Sequence, residues 1–517
     1  MWSDGSAGVL VSLWVTVLLL PLAWAPPVLA QEPGSQVAGN PGGGGKAAGG
    51  AWREAAAGLE SRDWSERQAA AQALGLMGPA AREATAALAK ALMDRDAVVR
   101  TEAARALGLI GSGAREAVPN LLKTLYDENA DVRREAVIAL GRMGPAAGGD
   151  AALGLVGVCN DESVDIRRHA ALALAKVAPG PGIAVPSLTR LLGDRSAKVR
   201  WAAAAALGEM GPQAKDAIPG LIETLCDDDA FVRLAGAAAL ERMGDAGLRA
   251  LLKAAREVDE AQRDRQDCLV EGMRHAGEPL VDLLMADLAA SEQGMRERAA
   301  YLLGRIGMSA AKAVPLLIEM LGDESVELSN AATVALGRVG EPAVSDLVKA
   351  LDHKNKHVRL YATYALGWIG PAAVPALLKA LSNSEAPVRH QAAVALGKIG
   401  PTAVEAVDDL VAALSDPDAP VRREAADALG EVGPAAARAV PALTQALSDK
   451  DEVVRTMAAY ALGKIGKAGV AALRAALGNE APAMREIAAV ALGMMGPEAR
   501  EAVPELVKVL SDRQAEV

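Results

Sequence analysis

A six-residue pattern, Ala-Leu-Gly-x-(Ile/Met/Val)-Gly, recurs along this 517-residue chain and constrains its fold more than any other feature. Successive copies are separated by 33 or 30 residues, with one interval of 34, which is typical of repeat architectures. Leu174 and Leu240 keep the leucine without the following glycine, and Met273 marks a degenerate copy. The pattern, with Leu302 in place of alanine in one copy, is centred on Leu74, Leu107, Leu140, Leu207, Leu303, Leu336, Leu366, Leu396, Leu429, Leu462 and Leu492.

Each copy has the pattern of a helical hairpin, as the segment around Leu429 illustrates. Val421, Ala425, Leu429 and Val432 fall on one face of an α-helix, because they are spaced by four, four and three residues. Gly433 follows where a left-handed C-cap would end this helix, and the proline after it prevents continuation. A second, shorter apolar helix is expected to complete the hairpin.

Neither helix of a copy has an apolar face large enough to be stable alone, so neighbouring copies must stack. The composition is 51% apolar but only 3% aromatic, which favours a core of small aliphatic side chains and closely packed helices. The sequence therefore predicts an all-α fold, an α-solenoid (superhelix) of about fourteen helical-hairpin repeats. The 30-residue copies lose three residues between their two helices, and residues 245–293 are expected to form a degenerate repeat.

The first fifty residues differ in kind from the repeats. Residues 8–25 carry no charge, and the apolar region ends in Val28-Leu29-Ala30 before Gln31, with small residues spaced as before a signal-peptide cleavage site. Residues 1–30 are interpreted as a signal peptide or, if uncleaved, an N-terminal membrane anchor. Residues 31–50 read as a Gly/Ala-rich flexible linker, and residues 51–517 as the solenoid. We expect an exported protein, periplasmic or extracytoplasmic, that is membrane-attached only if the N-terminal segment is retained.

The consensus Val-Arg-x-x-Ala-Ala-x-Ala-Leu-Gly-x-Ile-Gly, followed by Ala-Val-Pro-x-Leu, resembles the HEAT-like repeat of phycobilin lyases. The resemblance covers residues 60–512 and implies a HEAT-type solenoid. It implies no single activity, because the same repeat serves scaffolds, lyases and hydroxylases.

The resemblance also assigns a structural role to the arginine that lies seven residues before most repeat leucines. In HEAT proteins the equivalent arginine pairs with aspartates of the turns, in a ladder between hairpins. Ser329 and Gln266 replace this arginine in two copies, where the ladder should be weaker. The aspartates expected to pair are Asp96, Asp131, Asp194, Asp418 and Asp451.

The ligands that support catalysis in one relative of this repeat are missing here. The resemblance would allow an iron hydroxylase whose repeats carry His-Glu pairs, but none of the five histidines is followed by glutamate. Arg134-Glu135 and Arg423-Glu424 occupy such positions, and arginine cannot ligate a metal. We predict no catalytic residue, no metal and no cofactor. The alternative is an enzyme of the same repeat family, phycobilin lyase-like or a deoxyhypusine hydroxylase-like oxidoreductase, or a site assembled from distant residues.

The three cysteines are Cys159, Cys226 and Cys268. They are too few for a disulfide framework, and their spacing fits no zinc motif. We interpret them as small buried hydrophobic side chains.

The helix register predicts which side chains face away from the core. With the repeat leucine at position zero and 100° per residue, positions −5, −2 and +2 lie opposite the core positions. In HEAT solenoids this helix lines the concave surface, so the resemblance places these positions in a groove. Position +2 is a cation in most copies, namely Arg142, Lys176, Arg242, His275, Arg305, Arg338, Lys398 and Lys464.

Aromatic side chains share this face, although the chain has few of them. Complementing the helix dipole would also explain the cations, and packing between repeats would explain the rings. The sequence predicts an exported scaffold that binds a protein or peptide partner in its concave groove, and no nucleic acid is expected given the net charge of −11. The predicted binding residues are Tyr301, Arg305, Arg338, Tyr361, Tyr364, Trp368, Lys398, Tyr460 and Lys464.

Overall fold

The computed structural model describes residues 48–178, 180–258 and 262–510 of the chain. Within these ranges the chain forms helices and turns and no strand, which confirms the all-α prediction. The expected signal peptide and nearly all of the expected linker lie outside the described residues. The first helix begins at Ala48, within the segment that the sequence assigned to the linker.

Helices of two kinds alternate along the described chain, and fourteen of them carry the repeat leucine or its replacement. These inner helices are α2 Trp64–Met77, α4 Ala97–Ile110, α6 Ala130–Met143, α8 Val164–Val177, α10 Ala197–Met210, α12 Ala230–Arg242, α14 Arg263–Ala276, α16 Gln293–Ile306, α18 Val326–Val339, α20 Lys356–Ile369, α22 Ala386–Ile399, α24 Ala419–Val432, α26 Glu452–Ile465 and α28 Pro482–Met495. The outer helices are α1 Ala48–Gly58, α3 Thr85–Ala91, α5 Val118–Thr124, α7 Gly149–Val158, α9 Pro181–Leu191, α11 Ile218–Thr224, α13 Asp245–Glu257, α15 Glu278–Leu288, α17 Val314–Met320, α19 Val344–Ala350, α21 Val374–Leu381, α23 Val407–Ala413, α25 Val440–Ala446, α27 Val470–Ala476 and α29 Val503–Val509. The fourteen predicted repeats are therefore all present.

The two kinds of helix form the two layers of a solenoid. Most inner helices pack against the next inner helix over much of their length, with α14 and α16 as the exception, whereas consecutive outer helices touch only sparsely. In a curved stack the more closely packed layer lies on the inside of the curve. The inner helices therefore line the concave surface, which is the surface that solenoids use to bind partners.

Small residues permit this close packing of the inner layer. A Cβ atom added to Gly304 would lie 2.9 Å from the Cα atom of Ala335 on the next inner helix, and one added to Gly108 would lie 2.9 Å from that of Ala139. The repeat leucine between such an alanine and glycine points into the core, and Leu429 is fully buried. The recurring Ala-Leu-Gly thus combines a core anchor with two close-approach positions.

Positive-φ glycines end the inner helices, as the sequence predicts, although in a different conformation. Gly433 has φ 71° and ψ −143°, outside the left-handed helical region and in a region that only glycine adopts readily. Thirteen of the fourteen inner helices are followed by such a glycine, and α8 ends at Ala178 instead. In most copies a 3₁₀ turn then leads directly into the outer helix.

An arginine–aspartate ladder links successive hairpins, but with aspartates that mostly differ from those the sequence suggested. Asp449, which pairs with Arg422, also accepts a hydrogen bond from the backbone N–H of Asp451. Asp451 itself accepts a bond from the N–H of Val454 at the start of α26. The pairs, with N···O distances of 2.6–2.8 Å, are Arg67–Asp94, Arg100–Asp127, Arg133–Asp161, Arg167–Asp194, Arg200–Asp227, Arg296–Asp323, Arg389–Asp416 and Arg422–Asp449.

Of the five expected aspartates, Asp194 pairs with its arginine as predicted, and Asp418 makes an additional contact with Arg389. The assignments of Asp96, Asp131 and Asp451 were wrong. Asp96 and Asp451 accept hydrogen bonds from the first turn of their own helices, and Asp131 pairs with Arg134. The cause is geometric, because the carboxylate nearest the arginine lies at the start of the turn rather than at its end.

Among the described residues, two stretches, Gln293–Met320 and Lys356–Leu381, are long and apolar enough by composition to cross a membrane. Each consists of an inner helix, a turn and an outer helix, and the chain reverses at Gly307 or Gly370. Both stretches are therefore ordinary hairpins of the solenoid.

Candidate functional site

The nine predicted binding residues all lie on inner helices, but the structure brings only some of them together. Tyr301 and Arg305 are on α16, and Tyr460 and Lys464 are on α26. The remaining five lie on the consecutive helices α18, α20 and α22. They are Arg338, Tyr361, Tyr364, Trp368 and Lys398.

A patch of exposed apolar side chains runs along α20 in the middle of this region. Leu360, Tyr364 and Trp368 are spaced by four residues and are 46%, 39% and 61% exposed. Arg338 on α18 and Lys398 on α22 are exposed on either side of it. We call these five residues the aromatic patch.

A cation–π contact joins α20 and α22 within the aromatic patch. The Nζ atom of Lys398 lies 5.7 Å from the centre of the Tyr364 ring. Neither Lys398 nor Arg338 forms an ion pair with another residue in the described part of the chain. Both positive charges therefore remain open to a partner.

The short repeats change how the inner helices meet at the aromatic patch. Elsewhere the glycine at position +1 meets the alanine at position −1 of the next copy, as Gly304 meets Ala335. Here a Cβ on Gly337 would lie 3.1 Å from the Cβ of Trp368, and one on Gly367 would lie 2.6 Å from the Cβ of Lys398. The contact has moved by three residues, or about 4.5 Å along the helix. At these two junctions Trp368 and Lys398 therefore lie against glycine backbones.

The same junctions lack arginine–aspartate pairs. Ser329 replaces the arginine in α18 and donates to the carbonyl oxygens of Met320 and Asp323 instead. Arg359 in α20 donates to the carbonyls of its own turn, and the position of its partner aspartate is occupied by Asn383. Asn383 retains only the turn-closing role, accepting from the N–H of Glu385. The aromatic patch therefore lies on hairpins that are linked less tightly than their neighbours.

Arg305 and Tyr301 are largely engaged with the protein itself. Arg305 donates to the Tyr301 hydroxyl at 2.8 Å and forms an ion pair with Asp267 of α14. Burial lowers the pKa of Arg305, but these two partners outweigh burial and the net pKa is raised. The ion pair of Arg305 with Asp267 therefore links α16 to α14 in the degenerate repeat.

Lys464 is similarly occupied, by acidic residues of the preceding inner helix. Its Nζ atom lies 2.7 Å from Glu431 and 3.3 Å from Asp427. Burial alone would lower the pKa of Lys464, but the hydrogen bond with Glu431 and the charge of Asp427 raise it overall. The position +2 cation is thus paired with carboxylates on α26, whereas those on α18 and α22 have no ion-pair partner among the described residues.

Tyr361 and Tyr460 are half-buried and pack against the core. Sequence reasoning placed both on the groove face, whereas in the structure both rings also pack against the core. Leu360 was missed, although its spacing of four from Tyr364 would have identified it. It contributes more exposed apolar surface to the aromatic patch than Tyr361 does.

Among the described residues there is no group of three or more His, Cys, Asp or Glu side chains arranged to hold a metal ion. His353 and His357 are four residues apart in sequence. His353 accepts a hydrogen bond from the N–H of Asn355 in a turn, and His357 is exposed in the first turn of α20.

Comparison with known proteins addresses the repeat directly. The family model described as HEAT repeats matches residues 53–128, 118–195, 184–270, 278–353, 344–414, 407–472 and 441–517. The chain belongs to the HEAT-repeat family. The matches include the degenerate stretch, since one of them extends to residue 270.

Solved structures similar to this HEAT-repeat chain include an engineered protein, with 24% identity over 74% of this chain and 98% of that one, at a TM-score of 0.31. Importin beta is 14% identical over 89% of this chain and 74% of its own, with a TM-score of 0.37. Kap121p is 15% identical over 90% of this chain and 55% of its own, with a TM-score of 0.33. No curated protein matches this chain.

Proposed function

We propose that this HEAT-repeat solenoid is an exported scaffold that binds a protein partner in its concave groove. The observation that carries the proposal is the aromatic patch, in which Leu360, Tyr364 and Trp368 are exposed on the inner layer between two unpaired cations. Aromatic residues and arginine dominate the energetic centres of protein interfaces. The proposed partner segment presents apolar side chains to α20 and acidic side chains to Arg338 and Lys398.

Local packing supports this proposal because it pre-organises the patch. The Trp368 stem lies against Gly337, the Lys398 stem lies against Gly367, and the ammonium group of Lys398 lies over Tyr364. Side chains held in place before binding lose less conformational entropy when a partner arrives.

The charge distribution supports an acidic rather than a basic partner segment. The protein as a whole has a net charge of −11, so unpaired cations in its groove are a local exception. Complementary charges at the rim of an apolar centre accelerate association and discriminate between partners.

The binding proposal is tested by affinity capture from the envelope fraction of the source cells, with quantitative mass spectrometry. Wild type is compared with Tyr364→Ala/Trp368→Ala and with Tyr126→Ala, a matched control at an aromatic side chain 70% exposed in the turn after α5. We expect at least one protein to be recovered by wild type and the control but lost with the double variant, because truncating the aromatic centre of an interface costs about 2 kcal/mol or more.

The purified partner is then titrated against these three proteins and against Arg338→Glu/Lys398→Glu. The expected dissociation constant rises about 30-fold or more for the double variant. Arg338→Glu/Lys398→Glu should also weaken binding, and the affinity of wild type should depend more steeply on salt than that of this charge variant. Equal recovery and equal affinity for wild type and the double variant would reject the patch as the binding surface.

Export is proposed from the apolar N-terminal segment and is tested separately. Cell fractionation should place the protein outside the cytoplasm, and N-terminal sequencing should begin at Gln31 if the segment is removed. A cytoplasmic protein with its original N-terminus would contradict export without affecting the binding proposal.

A further inference from the structure

The degenerate repeat brings together two of the three cysteines in this chain. Cys226 lies in the turn after α11, and Cys268 on α14 is close enough to help raise the pKa of Cys226. They are 42 positions apart in sequence, so only the fold makes them neighbours. The interpretation of all three cysteines as buried hydrophobes is therefore wrong for Cys226, which is exposed, whereas Cys159 is buried.

Contacts on either side of the two thiols show that α14 packs across the end of α11. Arg265, one turn before Cys268, forms an ion pair with Glu223 at 2.6 Å. Gly272, one turn after Cys268, lies against Leu225, since an added Cβ would come within 2.8 Å of a Leu225 methyl group. The cysteine pair is thus flanked by a polar and an apolar contact of the same two segments.

This junction lacks the arginine that elsewhere secures an inner helix to its turn. Gln266 occupies the ladder position of α14, and its side-chain oxygen accepts a long hydrogen bond from Arg305. A covalent link between Cys226 and Cys268 would fasten α14 at the point where the ladder is interrupted.

We propose that Cys226 and Cys268 form a disulfide bond that staples α14 to the end of α11. The inference goes beyond the proposed binding function and does not depend on it. The ion pair and the apolar contact that flank the two cysteines hold the cysteine-bearing segments against each other, as a disulfide bond of about 2.05 Å requires. Cys159 is buried in a different hairpin and remains a thiol.

The reaction is a thiol–disulfide exchange with a low-molecular-weight disulfide as oxidant. One cysteine thiolate attacks the oxidant, forms a mixed disulfide and releases one thiolate. The second cysteine then loses its proton and attacks the mixed disulfide, which closes the Cys226–Cys268 bond and releases the second thiolate. Two protons leave the protein, and two electrons reduce one oxidant molecule to two thiols.

Partial burial and the neighbouring Cys268 together raise the pKa of Cys226 to about 12. The Cys226 thiol is therefore almost fully protonated at neutral pH and a poor nucleophile. We expect slow closure at neutral pH with small oxidants, so the experiment uses prolonged incubation under mildly alkaline conditions.

The full-length protein is incubated with oxidised glutathione, and its free thiols are then counted in denaturant. The expected count falls from three to one. Tryptic digestion without reductant should yield peptide 216–233 joined to peptide 266–274, lighter by two hydrogen atoms than the two peptides together, and reductant should separate them. Three surviving thiols, a bond to Cys159, or glutathione adducts without closure would overturn the proposal.

Single variants supply the controls. Cys226→Ser and Cys268→Ser should each retain both of their remaining thiols after oxidation, whereas Cys159→Ser should lose both of its thiols. Circular dichroism establishes that each variant is folded. The peptide map of the wild-type protein does not depend on the variants.

Discussion

The glycine of each Ala-Leu-Gly is a close-approach residue in some copies and merely permissive in others, which provides a matched pair of substitutions. Gly304→Ala places a methyl group 2.9 Å from the backbone of Ala335, so α16 and α18 must separate. Gly493→Ala, at the same repeat position of α28, meets nothing within 4 Å. We expect Gly304→Ala to lower the free energy of unfolding by about 1–3 kcal/mol and Gly493→Ala to raise it by about 0.5–1 kcal/mol. Chemical denaturation of both variants measures the difference, and equal effects would contradict the close packing of the inner layer.

The repeat leucine tests the helix register at the aromatic patch. Leu366 is fully buried, whereas Leu360 on the same helix is 46% exposed. Leu366→Ala should cost about 2–5 kcal/mol through a core cavity, and Leu360→Ala should change stability by about 0.5 kcal/mol or less. Thermal unfolding compares the two, and a wild-type midpoint for Leu366→Ala would show that the register is wrong.

At the scale of single residues, the sequence predicted the buried face well and the exposed contacts less well. The burial of Leu429 and of the other repeat leucines follows from helical periodicity alone, because it depends on one face of one helix. Which of Tyr361 and Tyr364 is exposed depends on how far the neighbouring helices cover each ring. That overlap follows from the stacking of repeats, which the spacing within one helix does not specify.

Helices α18 to α22 form junctions that are linked less tightly than the junctions of α22 to α26. The glycine at position +1 contacts Trp368 or Lys398 here instead of an alanine, and Ser329 and Asn383 interrupt the ladder. The sequence revealed the three-residue deletion and the loss of Arg at position 329. It did not reveal the axial shift of the helices, since this depends on packing between copies.

Hydrogen exchange should detect this weaker linkage. The amides of α20 should exchange about tenfold faster than those of α24, equivalent to about 1.4 kcal/mol less protection, because fewer contacts oppose local opening. Helix α24 is an internal control of equal length, with intact pairs on both sides through Arg389–Asp416 and Arg422–Asp449. Equal protection of the two helices would contradict the inferred difference.

Across the whole molecule, the ladder makes stability sensitive to acid. The hydrogen bond from Arg422 lowers the pKa of Asp449, and the pKa values of Asp94, Asp194 and Asp416 are also lowered because their arginine and backbone partners outweigh burial. Carboxylates with a lowered folded-state pKa stabilise the protein above their unfolded pKa, and this contribution is lost as pH falls. The free energy of unfolding should therefore decrease below about pH 4.

Denaturation at a series of pH values measures this dependence. Asp449→Asn should be less stable than wild type at neutral pH and should lose less stability on acidification, because one titrating carboxylate is gone. Parallel curves for the two proteins would show that Asp449 does not contribute to the acid response.

We propose that the concave aromatic patch is where this HEAT-repeat protein holds its partner. Photocrosslinking in the source cells tests it most directly, with Trp368→p-benzoylphenylalanine compared with Tyr126→p-benzoylphenylalanine. We predict a discrete light-dependent adduct containing a second protein for position 368 and none for position 126. Adducts of equal yield at both positions, or only at position 126, would contradict the claim.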